Sequence, residues 1–596
     1  MGHPQPSPVL PGDPEQCRLL GDALHARGRL DDALRAYLQS MSLRPDDLNT
    51  LNNAANLLRR MGRFAEALQC YNRALGLAPD HAVVLCNRAL ALRDLGRIPD
   101  AMADLRRAVE LQPVFPEAWC NLGEAWRDVR NNNEALHCFR RAIEQKPDFA
   151  VAHNNLGVLL RDLGQLEAAQ ASSRRALALR PGYLNAHSNL LLTGHYLPHA
   201  CAMDLLQEAR AYGETVLRTA QPFTSWPNAR DPQRRLRIGL VSGDLRRHPV
   251  GFFLDSVLAA LKEQDDLDIV AYATRPGDEE MTPRLAASCL AWHSATGWPD
   301  ARLAEQVRAD GIDILIDLAG HTAHNRLAMF ASKPAPVQLS WLGYFGTTGV
   351  AAMDYLLADP WSLPPQFEAH FTERIRRLPE TRLCFSVPED APEVSTLPAL
   401  RNGRVTFGCF GNLSKMNDDV LALWAEVMQA MPGSRLLLKA KQLDDVAMRS
   451  DVLARMARCG IGENRVALES YAARRDYLAS YAKVDIVLDT FPFPGGTTSA
   501  EALWMGVPVL TMKGDSFVAC QGVGIMANTG LAHWIAQDRA DYVRLAQKHA
   551  SNLPALAAQR QLMRRQLLAS PLFDAGRFAR HFEAALRAMW QEWCGS

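Results

Sequence analysis

The chain has 596 residues, 48% of them hydrophobic and 22% charged, with Lys+Arg and Asp+Glu equal at 65 each. Single cores stop growing well below that length, at roughly 100–200 residues per domain, so a multidomain protein is expected. The even charge balance gives no ground for a nucleic-acid partner, and no unbroken apolar run nears the ~20 residues that span a bilayer.

The opening residues, MGHPQPSPVLPG, are Pro-rich and carry neither a basic start nor an apolar h-region, which predicts no export signal and a cytoplasmic location. The twelve cysteines are scattered without a C-x-x-C pair, so zinc is not expected and they read as small buried hydrophobes.

A period of 34 runs through the first third of the chain. Glycine falls at Gly28, Gly62, Gly96 and Gly164, with Arg130 in the missing slot. Alanine recurs at Ala33, Ala67, Ala101, Ala135 and Ala169, and proline at Pro45, Pro79, Pro113, Pro147 and Pro181. A small residue at a helix crossing, a glycine turn and a closing proline at this period predict a helix-turn-helix solenoid, resembling tetratricopeptide repeats. Five units fill about 14 to 183, and LNAHSNLLLTGHY begins a sixth. A further column, Asn53, Asn87, Asn121, Asn155 and Asn189, keeps the same step. An amide donates and accepts at once, so these side chains either hold the backbone of an extended peptide or bond the neighbouring repeat's backbone.

From Arg234 short β-rich runs alternate with helical patterns, the order of parallel sheets. LRIGLVSG, DIVAYA, IDILIDLAG, PVQLSWLG and YLLAD are the strands of a first lobe, and VTFGCFG, SRLLLKA, RVALES, VDIVLDT and PVLTM those of a second. Two doubly wound lobes form a cleft at the carboxyl ends of their strands, where such sheets bind ligands.

Candidate groups cluster at those strand ends. His248 follows the first strand, where it would take up a proton or merely sit exposed. In IDLAGHTAHNR, His321, Thr322 and Asn325 suit a hydroxyl-rich ligand, or Thr322 caps a helix. The run LGYFGTTG puts Tyr344 among glycines that either approach a ligand or make a tight turn. Lys415 stands between a strand and a helix start, where an ammonium reinforces an anion site. In FPFPGGTTSAEALW, the amides of Gly495, Gly496, Thr497 and Thr498 and the two hydroxyls would cradle a diphosphate, with Glu501 accepting from a ribose diol. The competing reading is a strand–helix turn with a threonine N-cap and Glu501 completing a capping box.

VSGDLRRHPV, GHTAHNR, PAPVQLSWLGYFGTTG, FGCFGNLSKMN and LDTFPFPGGTTSAEALWMGVPVLT together resemble the O-GlcNAc transferase and SPINDLY family, closer to its SPINDLY branch. The resemblance implies an α-solenoid of tetratricopeptide repeats followed by a GT-B type glycosyltransferase. The layout expected is a flexible tail at 1–13, the solenoid at 14–200, a linker at 201–233, an acceptor-side lobe at 234–400 and a nucleotide-sugar lobe at 401–596. It also implies an inverting protein O-glycosyltransferase that needs no obligatory metal. Acceptor proteins would lie along the asparagine column, His248 at the reacting centre, Lys415 on the leaving diphosphate, Thr497 and Thr498 on the phosphates and Glu501 on the ribose. UDP-GlcNAc is the working donor and GDP-fucose the alternative, because Gly496 and Tyr477 stand where the animal-type branch has histidines. A repeat scaffold with inactive lobes and a two-lobed sugar-nucleotide epimerase are the readings of other classes.

Overall fold

The structure, a computed structural model, describes residues 9–264 and 266–595. Residues 1–8 of the expected tail lie outside that range. The chain divides into two compact units, one running to Leu159 with Ala178–Pro181, the other made of Leu160–Leu177 and everything from Gly182 onward.

The first unit is built of helix pairs: α1 (Pro14–Ala26) with α2 (Leu30–Leu43), α3 (Leu48–Arg60) with α4 (Phe64–Leu77), α5 (Ala82–Asp94) with α6 (Ile98–Leu111), and α7 (Pro116–Asp128) with α8 (Asn132–Gln145). Each column of the 34-residue repeat has a physical job. Ala33, Ala67, Ala101 and Ala135 are wholly buried at the pair contacts. Gly28, Gly62 and Gly96 take left-handed φ of 76°, 77° and 74° in the turns, and Arg130, in the glycine slot, is forced to φ 62°. That backbone region costs an ordinary L-residue roughly 1 kcal/mol that glycine avoids, so Arg130→Gly should stabilise the solenoid by up to about that amount, read as a raised urea midpoint.

The asparagine column is engaged within the solenoid. Asn53 Nδ2 donates to Asp22 (3.0 Å), Asn87 to Asn52 (3.0 Å), Asn121 to Cys86 Sγ (3.3 Å) and Asn155 to Glu124 (2.7 Å). Each of these partners lies on the preceding repeat, so the inter-repeat reading describes the contacts, with side chains in place of the backbone partner expected. In the second unit Asn189 Oδ1 accepts from Arg161 at 3.4 Å.

A fifth helix pair, α9 (Ala150–Asp162) and α10 (Leu166–Leu179), is divided between the units, and the second unit also takes in α11 (Leu184–Gly194), α12 (Ala202–Leu217) and two parallel sheets. The first sheet contains β1 (Leu236–Ser242), β2 (Leu267–Ala273), β3 (Ala291–Ser294), β4 (Ile314–Asp317), β5 (Val337–Ser340), β6 (Tyr355–Ala358) and β7 (Arg374–Arg377), in the order β3-β2-β1-β4-β5-β6-β7. The second contains β8 (Thr406–Cys409), β9 (Arg435–Lys439), β10 (Val466–Glu469), β11 (Ile486–Leu488), β12 (Val509–Met512) and β13 (Ile535–Ala536), in the order β10-β9-β8-β11-β12-β13. Their inner strands are near-continuous apolar runs because helices cover both faces. In each sheet the strand order reverses beside the first strand, at β1/β4 and at β8/β11, and that reversal opens a crevice at the carboxyl ends. Among the described residues no helix is long and apolar enough to cross a membrane.

Candidate active site

Both crevices carry predicted residues. After β1 the chain reaches His248 just before the helix Pro249–Gln264. Its Nδ1 accepts from the Val250 amide at 3.3 Å and lies 3.7 Å from Asp244. Burial pushes its pKa below the ordinary value; Asp244 pulls the other way, while Arg246, Arg275 and Lys441 add to the depression. The imidazole is therefore uncharged at neutral pH and able to accept a proton. Lys441 comes from the second lobe, after β9, so His248 sits where the two lobes face each other.

After β8, Asn412 caps the short turn Leu413–Lys415 by accepting from Ser414 N at 3.0 Å, and Asn417 caps the helix Asp418–Ala430 by accepting from Val420 N at 2.9 Å. Lys415 is fixed between these caps. Its ammonium donates to the Pro494 carbonyl at 2.8 Å and stands 4.0 Å over the Phe493 ring. Burial pushes it down to about 8, with the Asp489 carboxylate holding the charge against that effect.

Asp489, at the end of β11, organises the turn that follows. It accepts from Gly495 N (2.7 Å), Thr490 N (3.0 Å) and Thr511 Oγ1 (2.9 Å). The Gly495 amide thus points at Asp489, which removes it from the set expected to face an anion. Gln521 Nε2 steadies the same turn by donating to the Gly495 carbonyl at 3.2 Å. The helix Thr497–Trp504 then starts from Gly496 with no side-chain cap, so neither a threonine N-cap nor a capping box forms. Its first-turn amides, with the partly exposed Thr497 and Thr498 beside Lys415, make a positively polarised concavity.

Glu501 does not fold back to that terminus. It is 2% exposed and ion-paired with Arg474, whose guanidinium stacks 4.6 Å over Phe252 of the first lobe. Any diol contact at this position must therefore involve Arg474 as well. Tyr477 joins Phe410 and Tyr481 in an aromatic cluster, at 5.8 and 5.9 Å between ring centroids.

The expected sugar or acceptor contacts on the first lobe are overturned in part. His321 is 1% exposed: Ser188 Oγ of α11 lies 3.0 Å from Nδ1 and the Thr348 carbonyl 2.9 Å from Nε2. A carbonyl can only accept, so the proton sits on Nε2, and burial drives the pKa to about 3. Tyr344, 5% exposed, hydrogen-bonds His195 at 2.8 Å. Both are internal struts between α11 and the Gly-rich loop. Thr322 donates to the Ala319 carbonyl of its own loop (2.7 Å) and does not cap a helix, while Asn325 donates to the Thr322 carbonyl (2.9 Å) and accepts from Leu327 N at the start of the short helix Leu327–Phe330 (3.3 Å). The loop's glycines serve packing: a Cβ on Gly343 would strike the Leu318 carbonyl at 2.0 Å, and one on Gly349 the Ala209 carbonyl of α12 at 1.9 Å.

Asp489, Arg474 and Gln521 escaped the sequence reading. An acidic residue closing the apolar run VDIVLDT was the available signal for Asp489; Arg474 and Gln521 carry none, because their partners are distant in sequence.

Comparison with known proteins follows the same division. The family model described as Glycosyl transferase family 41 matches residues 212–387 and 394–582. Tetratricopeptide-repeat models match 16–49, 46–113, 116–149 and 138–171. Among curated proteins, the probable UDP-N-acetylglucosamine–peptide N-acetylglucosaminyltransferase SPINDLY of Petunia hybrida is 36% identical over 68% of this chain and 44% of its own length. The Arabidopsis thaliana protein of that name is 36% identical over 68% and 45%. The corresponding SEC protein of Arabidopsis thaliana is 28% identical over 61% and 38%. The matches thus span less than half the length of these curated relatives. A solved structure of a lysine-to-methionine mutant of Thermobaculum terrenum O-GlcNAc transferase superposes with a TM-score of 0.82 at 36% identity, covering 86% of this chain and 98% of that one.

Proposed function

The chain belongs to glycosyl transferase family 41, and from that premise we propose that it is an inverting protein O-glycosyltransferase moving GlcNAc from UDP-GlcNAc to Ser or Thr of an acceptor protein held by the repeats. One observation carries the reading. The Lys415 ammonium and the uncapped helix start at Thr497 meet at the switch point of the second sheet, while the uncharged His248 stands at that of the first.

Displacement at the anomeric carbon builds negative charge on the leaving diphosphate, and fixed positive groups aimed there stabilise the transition state without reorganising. Lys415 and the first-turn amides take that part. His248 receives or positions the acceptor proton. The Arg474–Glu501 pair faces the ribose.

A donor panel tests the proposal: UDP-GlcNAc, UDP-glucose and GDP-fucose with a protein acceptor, read by mass spectrometry. N-acetylhexosamine on Ser or Thr is the expected product. Fucose transfer would replace the donor with the alternative raised by Gly496 and Tyr477. A folded protein that neither binds nor hydrolyses any of the three would favour the scaffold reading.

A further inference from the structure

Beside His248 the first lobe gathers more positive charge than it neutralises. Arg246 follows β1 and Arg275 follows β2, and the two strand ends are adjacent: Ser242 pairs with Ala273, and Thr274 N donates to the Ser242 carbonyl at 2.9 Å. The Arg275 stem lies over Gly243, the first residue after β1, where a Cβ would meet its Cδ at 3.2 Å. A side chain at 243 would crowd the arginine, so the glycine leaves it room at the mouth of the crevice.

The two arginines act on one another and on the imidazole. Arg275 is held below its ordinary value by burial and then by Arg246, and both arginines oppose a proton on His248; Asp244 is the carboxylate that works against them. Both side chains are half-buried, yet neither guanidinium has a hydrogen bond or an ion pair among the described residues. Of their nitrogens only Arg246 Nε is sealed from solvent, which leaves the others open to a ligand. Asp278 and Glu280, in the loop after β2, are engaged elsewhere. Asp278 accepts from Met281 N (2.7 Å) and Glu280 N (2.9 Å), and Glu280 pairs with Arg247 at 2.6 Å.

Fold stability does not account for this arrangement, because like charges drawn partly out of water repel and each is costlier to desolvate. The leaving diphosphate does not account for it either, since Lys415 and the first-turn amides serve it from the second lobe. A proton acceptor between unneutralised cations is a poor one, as imidazolium would add a further positive charge. An anion that arrives with the acceptor removes that penalty at the moment the hydroxyl is in place. We propose that Arg246 and Arg275 bind an aspartate or glutamate side chain of the acceptor protein, close in sequence to the Ser or Thr that takes the sugar. A guanidinium fork takes both oxygens of a carboxylate. The partner is thus an acidic segment, and the pair selects among acceptors while His248 meets the hydroxyl. The inference rests on the transferase reading above.

Transfer by the full chain to peptides with a single threonine tests it. Asp, Asn or Lys is placed in turn at each flanking position, UDP-GlcNAc and GDP-fucose are supplied in parallel, and kcat/KM is read by mass spectrometry. At one or more flanking positions the Asp peptide should exceed its Asn counterpart at least about tenfold. Arg246→Gln and Arg275→Gln should each bring that ratio down toward one, and Arg275→Glu should reverse the preference in favour of the Lys peptide. A ratio of two peptides on the same protein does not depend on how much of a variant is folded. Calorimetric titration with UDP separates the other anion: arginine variants that lose UDP affinity as steeply as they lose Asp-peptide transfer would assign the pair to the diphosphate and overturn the inference. A wild type that makes no distinction among the peptides at any position overturns it too and leaves the transferase standing. No transfer from either donor to any peptide overturns both.

Discussion

Lys415→Met should lower transfer at saturating donor by about 10²–10³-fold, measured as single-turnover rate, and it should also lower stability, because the buried Asp489 carboxylate loses its cation. The ammonium is held against burial by Asp489 and bonded to the Pro494 carbonyl, directly before the turn. Methionine fills the space and cannot supply charge. The same position sets the alkaline side of the pH profile. With Lys415 pushed down to about 8, its charge is lost as pH rises through that value, and transfer should fall with it. Lys415→Arg should move that limb beyond the accessible range, since guanidinium stays protonated, at some cost in geometry. Full transfer by the methionine variant would mean that the leaving diphosphate is stabilised elsewhere.

What the sequence disclosed follows from which interactions are local. Strands such as LRIGLVSG and SRLLLKA were legible because a parallel strand buried on both faces has to be apolar throughout. β3 (AWHS), β7 (RIRR) and β13 (IA) escaped because they lie at sheet edges, short and in part polar. The repeat period was legible in the alanine, glycine and proline columns because each position has the same steric duty in every unit. The asparagine column showed its period but not its partners, which are side chains one repeat away. In the same way His321 and Tyr344 looked like rim residues of a cleft. They are internal because α11 and α12 cover them, and nothing in GHTAHNR or LGYFGTTG announces that contact. The turn itself was the most readable part of the site, since glycines, threonines and a following helix specify its chemistry locally. The polarity of Gly495 was not readable, because it depends on a carboxylate six residues back.

That carboxylate supports the second large effect. Asp489→Ala should destabilise the fold by about 3–5 kcal/mol, seen as a lowered urea midpoint, because it breaks a buried charge pair from one side. It also strips the acceptor from Gly495 N, Thr490 N and Thr511 Oγ1 at once. Asp489→Asn separates charge from shape: its amide oxygen can still accept from the turn, so most of the stability should return. The charge does not return, and a neighbouring carboxylate favours the protonated amine. Lys415 should then release its proton more readily, and the alkaline limb of transfer should shift to lower pH than in wild type. On the acid side burial holds Asp489 itself up at about 6, so the pair is fully charged only between about 6 and about 8. Activity that depends on the pair should peak in that window and decline as pH falls through the lower bound. An asparagine variant whose alkaline limb stays in place would reduce Asp489 to a structural bracket for the turn.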